Sequence, residues 1–158
     1  MARTLLKTIL APQIAYLSEQ QPSGTAGGTS IATTWTTRTL NTLVDTTAIV
    51  TSLTSNQFTL SAGTYRISAV STFYTANNVK IRIRNITDNT TAIVGQTVVG
   101  STSTYPLASL DGEIVISSSK TFALQYYVQA GTATLGLGQP VSSGEMEIYS
   151  QLAITKIK

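Results

Sequence analysis

The densest group of charged side chains in this sequence is a run of alternating cations, Lys80, Arg82 and Arg84, within "VKIRIR". Alternate residues of a β-strand point to the same face, so these three cations, here called the basic stripe, would share one surface. Such a surface could bind an anionic ligand, namely an acidic sugar or a phosphate. The alternative is a solvated face whose charges discourage edge-to-edge pairing, and the residues alone favour this simpler interpretation.

Residues that commonly perform catalysis are scarce. The chain contains no histidine and no cysteine, which removes the commonest general base, thiolate chemistry and disulfides. The seven acidic residues offer no pair that can be assigned as the two facing carboxylates of a glycosidase. No Walker loop, dinucleotide fingerprint or zinc-ligand spacing occurs. We therefore predict that the protein is not an enzyme and that it uses no metal and no cofactor.

The composition is that of a β-rich, weakly charged domain. The 158 residues correspond to one domain and are enough to bury a core without disulfides. Charged residues make up 11%, under half of the usual share, and the abundant threonine suits pleated strands. The net charge of +3 is spread thinly, which argues against nucleic-acid binding. No apolar run is long enough to predict a transmembrane helix.

Residues 1–22 differ from the remainder of the chain and are predicted to form an N-terminal arm. The apolar residues of the arm begin with helical spacing, which Pro12 interrupts, and comprise Leu5, Leu6, Ile9, Leu10, Ile14, Tyr16 and Leu17. The arm either packs on its own domain or anchors the protein in a larger assembly. Residues 23–30 form a Gly/Ser/Thr linker, so the main domain is predicted over 31–158.

Short alternating runs separated by turn residues predict an all-β fold. We predict strands at 32–37, 47–54, 57–61, 64–74, 79–86, 91–98, 107–116, 121–129 and 145–157. No helix is predicted after residue 22. Two packed sheets, in a jelly-roll or related sandwich, are the natural way to bury so many half-apolar strands.

The period-two pattern assigns one face of each strand to the core. The residues predicted to be buried are Tyr65, Ile67, Ala69, Phe73, Val79, Ile81, Ile83, Phe122, Leu124, Tyr126, Val128, Met146, Ile148, Leu152 and Ile154. The opposite faces of three strands carry few charges and several tyrosines, with Val70, Tyr74, Gln125, Tyr127, Tyr149 and Gln151. Because tyrosine is enriched in protein interfaces, this pattern favours a buried subunit interface over scattered surface aromatics.

Five segments together point to a known family: "GTAGGTSIATTWTTRTLNT" (24–42), "FTLSAGTYRISA" (58–69), "VKIRIRNITDNTTAIVG" (79–95), "GEIVISSSKTFALQYYVQ" (112–129) and "GEMEIYSQLAITKI" (144–157). They resemble the carboxy-terminal knob of viral, mostly phage, fibre and capsid-surface proteins. Gly63, Tyr65 and the closing "YSQLAITKI" are also similar to the tumour necrosis factor and complement globular-head superfamily. The resemblance implies a jelly roll that forms tight homotrimers around its inner sheet. The positions that it implies for the trimer interface are Val70, Tyr74, Gln125, Tyr127 and Tyr149.

The resemblance also implies a structural protein at a virion surface, serving as decoration, as a vertex spike or in host attachment. Because residues 1–22 are short compared with a fibre shaft, we expect a small knob that this arm binds to a capsid or tail protein. Other expected partners are two further copies of the chain and, for attachment, a host-surface glycan or protein, without nucleic acid or membrane insertion. Loops 85–91, 100–106 and 129–144 are candidates for the outward tip. The alternative is a soluble carbohydrate- or ligand-binding jelly-roll module that uses the basic stripe or the aromatic loops.

Overall fold

A computed structural model describes residues 12–158, which fold into β-strands joined by turns and loops. The strands are β1 (Gln13–Gln21), β2 (Thr36–Thr37), β3 (Thr42–Asp45), β4 (Val50–Thr54), β5 (Gln57–Leu60), β6 (Gly63–Thr72), β7 (Val79–Asn85), β8 (Thr90–Val94), β9 (Leu107–Ile116), β10 (Lys120–Val128) and β11 (Glu147–Lys156). The predicted all-β class is confirmed. Each predicted strand overlaps an observed one, and β1 and β3 are the strands that the sequence analysis did not predict.

The strands form two antiparallel sheets that pack face to face. Sheet A has the order β3-β1-β11-β6-β9, and sheet B has the order β4-β5-β10-β7-β8, with β2 paired to β10. Strands that are neighbours in space are often distant in sequence, since β1 pairs along its whole length with β11. This arrangement is the jelly-roll sandwich that the sequence predicted.

The core lies between the two sheets and is built from the inward residues of both. Phe58 and Phe122 stack with their ring centroids 5.8 Å apart, and Phe73 and Tyr126 make a tilted contact over the same distance. The predicted core residues that are buried are Tyr65, Ile67, Ala69, Phe73, Val79, Ile81, Ile83, Phe122, Leu124, Tyr126, Val128, Leu152 and Ile154. The alternation of each strand therefore identified most of the core correctly.

Strand β1 corrects the predicted arm. Residues 1–22 were predicted as an arm separate from the domain at 31–158, either packed on it or anchoring it in an assembly, but Gln13–Gln21 is a strand of the domain itself. It pairs with β11 on one side and with β3 on the other. The inward residues of β1 include Ala15 and Glu19 beside Leu17. A small and a charged residue on the buried side hide the apolar alternation that would have predicted a strand.

A β-bulge at Tyr149 reverses the predicted faces at the start of β11. Two consecutive residues of β1 pair with Ser150 and Ile148, so Tyr149 is the extra residue of β11. Tyr149 and Ser150 are both buried, whereas Ile148 and the preceding Met146 are exposed. The predicted core positions of Met146 and Ile148 are therefore wrong, because the alternation does not continue through the bulge.

The two ends of the sandwich carry different structures. Gln13 and Lys156 lie at one end, here called the terminal end, together with the turn at 85–91. The opposite end, here called the loop end, holds the long connections 22–35, 73–78, 95–106 and 129–146. Of the three loops predicted for the outward tip, 100–106 and 129–144 lie away from Gln13, and 85–91 does not.

Candidate interaction surfaces

The outer face of sheet A, here called the sheet A face, is a concave surface with little charge. Residues that are paired on neighbouring strands form rows across this face. One row consists of Thr42, Ser18, Gln151, Val70 and Ser109. The next row towards the terminal end contains Val44, Tyr16, Ala153, Ser68 and Asp111. Ser18, Val70, Ala153 and Ser68 are small, and the two rows line a depression of about 570 Å³.

Large apolar side chains flank this depression and remain open to solvent. Tyr16 is 55% exposed, Val44 57% and Leu107 58%. Asp111 is the one carboxylate among the residues of these two rows. Its Oδ2 lies 2.6 Å from Nη2 of Arg66, which belongs to the next row towards the terminal end. The charged residues of the sheet A face therefore lie near the terminal end, and the row through Gln151 and Val70 contains no charged residue.

The outer face of sheet B is different, because the basic stripe lies along β7. The guanidinium carbon of Arg82 lies 4.0 Å from the centroid of the Trp35 ring. Nε and Nη2 of Arg82 donate hydrogen bonds to Oε1 of Gln125 at 3.0 and 2.8 Å. The Trp35 ring also contacts Tyr127, with 5.6 Å between ring centroids. The structure thus brings the predicted stripe together on one surface and adds aromatic rings to it.

The five residues predicted for a trimer interface do not share a surface. Val70 lies on the sheet A face, whereas Gln125 and Tyr127 lie on the outer face of sheet B. Tyr149 is buried in its own chain, and Tyr74 lies beyond the end of β6 at the loop end. Alternation places a residue on the outer side of its own sheet, but the outer sides of the two sheets point in opposite directions. The single surface predicted from the sequence is therefore wrong.

The residues predicted to anchor the arm are also divided. Leu17 is buried in the core, while Ile14 and Tyr16 lie on the sheet A face. The others, Leu5, Leu6, Ile9 and Leu10, lie outside the described residues.

Two of the predicted interface tyrosines organise the loop end instead. The hydroxyl of Tyr149 donates a hydrogen bond to the carbonyl oxygen of Thr25 at 2.8 Å. Burial, followed by the nearby carboxylates, raises the pKa of Tyr149 to about 12, so the hydroxyl keeps its proton. Tyr74 contacts Tyr105 with 5.1 Å between ring centroids. These contacts tie loops together within one chain.

Glu147 fastens two segments of the loop end to β11. Its carboxylate accepts hydrogen bonds from the backbone N–H groups of Ser142 at 2.8 Å and of Gly24 and Val141 at 3.1 Å. The N–H of Ser142 and then those of Gly24 and Val141 hold the pKa of Glu147 below its usual value.

Glu19 and Arg38 form an ion pair inside the sandwich, with neither side chain exposed. Nε of Arg38 lies 2.8 Å from Oε2 of Glu19 but directs its hydrogen bond to Oγ of Ser150 at 2.7 Å. Nη2 of Arg38 donates to the carbonyl oxygens of Leu137 and Tyr149. Within the described residues, both oxygens of Glu19 and Nη1 of Arg38 lack a hydrogen-bond partner.

This buried pair has perturbed protonation equilibria. Burial raises the pKa of Glu19 to about 7, although the charge of Arg38 acts in the opposite direction. Burial likewise lowers the pKa of Arg38. Sequence analysis missed the pair, and the available signal was that both residues stand alone in long uncharged stretches. A charged residue whose sequence neighbours are mostly apolar or hydroxyl-bearing is a candidate for burial, because its neighbours do not hold that segment at the surface.

The described part of the chain assembles no group of carboxylates suited to metal binding. Among residues 12–158, no three acidic residues come close enough to hold a metal ion. The buried carboxylate of Glu19 faces the guanidinium of Arg38, not a second carboxylate.

No helix in residues 12–158 has the length and apolar character that crossing a membrane requires.

Comparison with known proteins identifies the fold. No family model and no curated protein matches the sequence. The globular domain of zebrafish complement 1qA protein is similar with a TM-score of 0.60 and 12% identity, over 94% of this chain and 98% of that chain. Murine APRIL at pH 5.0 is similar with a TM-score of 0.58 and 9% identity, over 93% and 100%. A second murine APRIL structure, at pH 8.5, also has a TM-score of 0.58, with 10% identity. The chain therefore has a jelly-roll fold similar to that of murine APRIL and of the complement 1qA globular domain.

Proposed function

We propose that the protein is a non-enzymatic structural protein of a virion surface that assembles as a homotrimer through the sheet A face. Its N-terminal segment attaches it to a capsid or tail protein, and the loop end points away from the particle. In this position it serves as decoration, as a vertex spike or in host attachment. The observation that carries the proposal is the neutral, partly apolar sheet A face.

The physical character of the sheet A face supports self-association. Covering the sheet A face removes Tyr16, Val44 and Leu107 from water and desolvates few charged groups, so burial is favourable. Four strands about 4.8 Å apart and about ten residues long, together with the shorter β3, cover roughly 700 Å². Each partner of a specific interface buries a similar area, about 800 Å². Three copies are proposed because the superfamily that the sequence resembles forms homotrimers around its inner sheet.

The direction of the chain supports attachment through the N-terminus. Strand β1 begins at Gln13 at the terminal end, so residues 1–11 join the domain there. Those residues include four of the predicted anchoring side chains, Leu5, Leu6, Ile9 and Leu10. A virion protein bound to this segment would meet the terminal end and leave loops 100–106 and 129–144 free.

A structural role is also consistent with where the acidic side chains lie. Glu19 faces Arg38, Asp111 pairs with Arg66, and Asp88 pairs with Lys120 at 2.6 Å. Glu147 is engaged by backbone N–H groups. These contacts hold the fold together, and the chain has no histidine or cysteine to act beside them.

Deletion of residues 2–11 tests the attachment, because these residues precede β1. We expect the shortened chain to keep its circular dichroism spectrum and its number of subunits in solution but to disappear from purified virus particles. A full-length chain carrying Leu5→Ser and Leu6→Ser separates the apolar contact from chain length and should also be lost. Unchanged occupancy of particles by the deletion would contradict the anchoring role. Absence of the full-length chain from particles would contradict the virion role itself.

A further inference from the structure

Among residues 12–158, no carboxylate forms an ion pair with the basic stripe. The ion pairs among residues 12–158 join Arg38 to Glu19, Arg66 to Asp111 and Lys120 to Asp88. None of these pairs includes the stripe, and residues 1–11 contain no acidic residue. Burial, and next the charge of Arg84, lower the pKa of Arg82, as expected for cations held together without a counter-charge. An anion bound here would therefore relieve a repulsion already present in the folded protein.

Two aromatic rings lie against the stripe and give the surface a fixed shape. Trp35 stands over the guanidinium of Arg82 at 4.0 Å, and Gln125 holds the same guanidinium from the strand beside it. Tyr127 is directly opposite Lys80 in the register of β10 and β7. We call the group of Trp35, Tyr127 and the basic stripe the sheet B site. All its side chains are half-buried, so they are partly ordered before any ligand arrives.

A cavity beside Lys80 completes the surface with neutral polar groups. Its volume is about 340 Å³, and the residues that line it include Asn78, Gln129, Thr97 and Tyr127. Aromatic walls with a few convergent polar groups are the usual make-up of a ligand site. The cavity lies on sheet B, on the opposite side of the sandwich from the sheet A face, so self-association leaves it open.

We propose that the sheet B site binds an acidic glycan, an oligosaccharide whose sugars bear carboxylate or sulfate groups. Lys80 and Arg84, about four residues apart on β7 and hence roughly 13 Å from each other, receive anionic groups repeated along the ligand. Trp35 and Tyr127 pack against sugar rings, and the amides in the cavity donate to hydroxyl groups. A glycan is favoured over a nucleic acid because the stripe is narrow and the net charge is only +3.

The fluorescence of Trp35 tests this binding directly, because it is the one tryptophan of the chain. We would titrate the full-length protein with an oligogalacturonate, with dextran sulfate and with neutral dextran. Either acidic glycan should shift or quench the emission in a saturable way that weakens with added salt, and neutral dextran should not. A stronger response to oligogalacturonate assigns carboxylate as the preferred group, and a stronger response to dextran sulfate assigns sulfate.

The double variant Lys80→Gln with Arg84→Gln should weaken binding by about tenfold or more, since it removes two charge-assisted contacts. The matched control, Lys156→Gln with Lys158→Gln, removes the same net charge at the terminal end and should bind as the parent does. Equal weakening in both variants would overturn the proposal, because it would show attraction to overall charge alone. No response to either acidic glycan, or equally tight binding of a single-stranded oligonucleotide, would overturn it as well.

Discussion

The carboxylate of Glu19 and the guanidinium of Arg38 meet inside the sandwich, with Oε2 and Nε 2.8 Å apart and no exposure of either side chain. Glu19 belongs to β1, and Arg38 reaches the loop end through the carbonyl oxygen of Leu137. The guanidinium also lies 5.3 Å from the centroid of the Phe73 ring. The pair thus links the first strand of sheet A to the longest loop, and its energetics lead to two predictions.

Arg38→Met removes one member of the pair and leaves the Glu19 carboxyl buried without a counter-charge. Breaking a buried ion pair in this way commonly costs about 3–5 kcal/mol, and we expect a loss of that order in the free energy of unfolding by urea. The double variant Glu19→Gln with Arg38→Met should be more stable than Arg38→Met alone, because Gln is neutral at every pH, whereas the buried Glu19 carboxyl must bind a proton to become neutral. If Arg38→Met were as stable as the parent, Glu19 and Arg38 would not form a buried ion pair in solution.

The free energy of unfolding should depend on pH through the protonation of Glu19. Its pKa is raised to about 7 in the folded chain from an ordinary 4.5, so the folded state binds the proton more tightly than the unfolded state. The stabilising contribution of that proton is fully present below about pH 4.5 and is lost as the pH rises through about 7. As the pH rises from about 4.5 to about 7, the free energy of unfolding of the parent should fall relative to that of the Glu19→Gln variant. A difference that stays constant with pH would refute the raised pKa.

Glu147→Gln should loosen the loop end. The carboxylate accepts hydrogen bonds from the N–H groups of Gly24, Val141 and Ser142, and loss of its charge weakens these hydrogen bonds because an ionised acceptor binds N–H groups more strongly than a neutral one. Faster hydrogen exchange at those amides measures the effect, and exposed Glu145→Gln serves as the control. Because the pKa of Glu147 is lowered, its contribution is present above the ordinary 4.5 and lost on acidification, opposite to that of Glu19. Identical exchange in the two variants would argue against the anchor.

Gly138→Ala should be far more damaging than Gly28→Ala. Both glycines have positive φ, +148° and +103°, which costs a substituted residue about 1 kcal/mol. A Cβ at residue 138 would lie 2.0 Å from Cδ1 of Tyr149, whereas nothing lies within 4 Å of one at residue 28. We expect Gly138→Ala to lose at least about 3 kcal/mol or to fail to fold. Thermal unfolding compares the two, and similar midpoints would contradict the close packing of Gly138 on Tyr149.

The regular strands could be predicted from the sequence because their alternation is local. Tyr65, Ile67 and Ala69 of β6 follow period two without interruption, and all are buried. Strand β1 could not be predicted in the same way, because Glu19 occupies an inward position whose partner, Arg38, lies far along the chain. The bulge at Tyr149 could not be predicted either, since an extra residue in a strand is recognised only from its pairing with the partner strand.

The candidate surfaces were predicted only in part. The basic stripe was found because its residues share one strand, but the approach of Trp35 to Arg82 depends on the pairing of β2 with β10. Val70 and Tyr127 both point outward, yet they belong to different sheets. Sheet membership is decided by long-range pairing, and a single sequence contains no local signal for it.

The central claim is that the sheet A face is covered by further copies of the chain. Val70→Asp puts a charge in the middle row of that face, and Thr54→Asp puts the same charge on an exposed edge strand of sheet B as the control. A buried, unpaired carboxylate opposes association, so the first substitution should lower the solution mass and the second should not.

The most direct measurement is the solution mass of the full-length chain by light scattering at micromolar concentration. We expect three times the 16.7 kDa of one chain, with Val70→Asp shifting the mass towards that of a single chain. A parent protein that remains at 16.7 kDa, or a trimer that Val70→Asp leaves intact, would contradict assembly through the sheet A face.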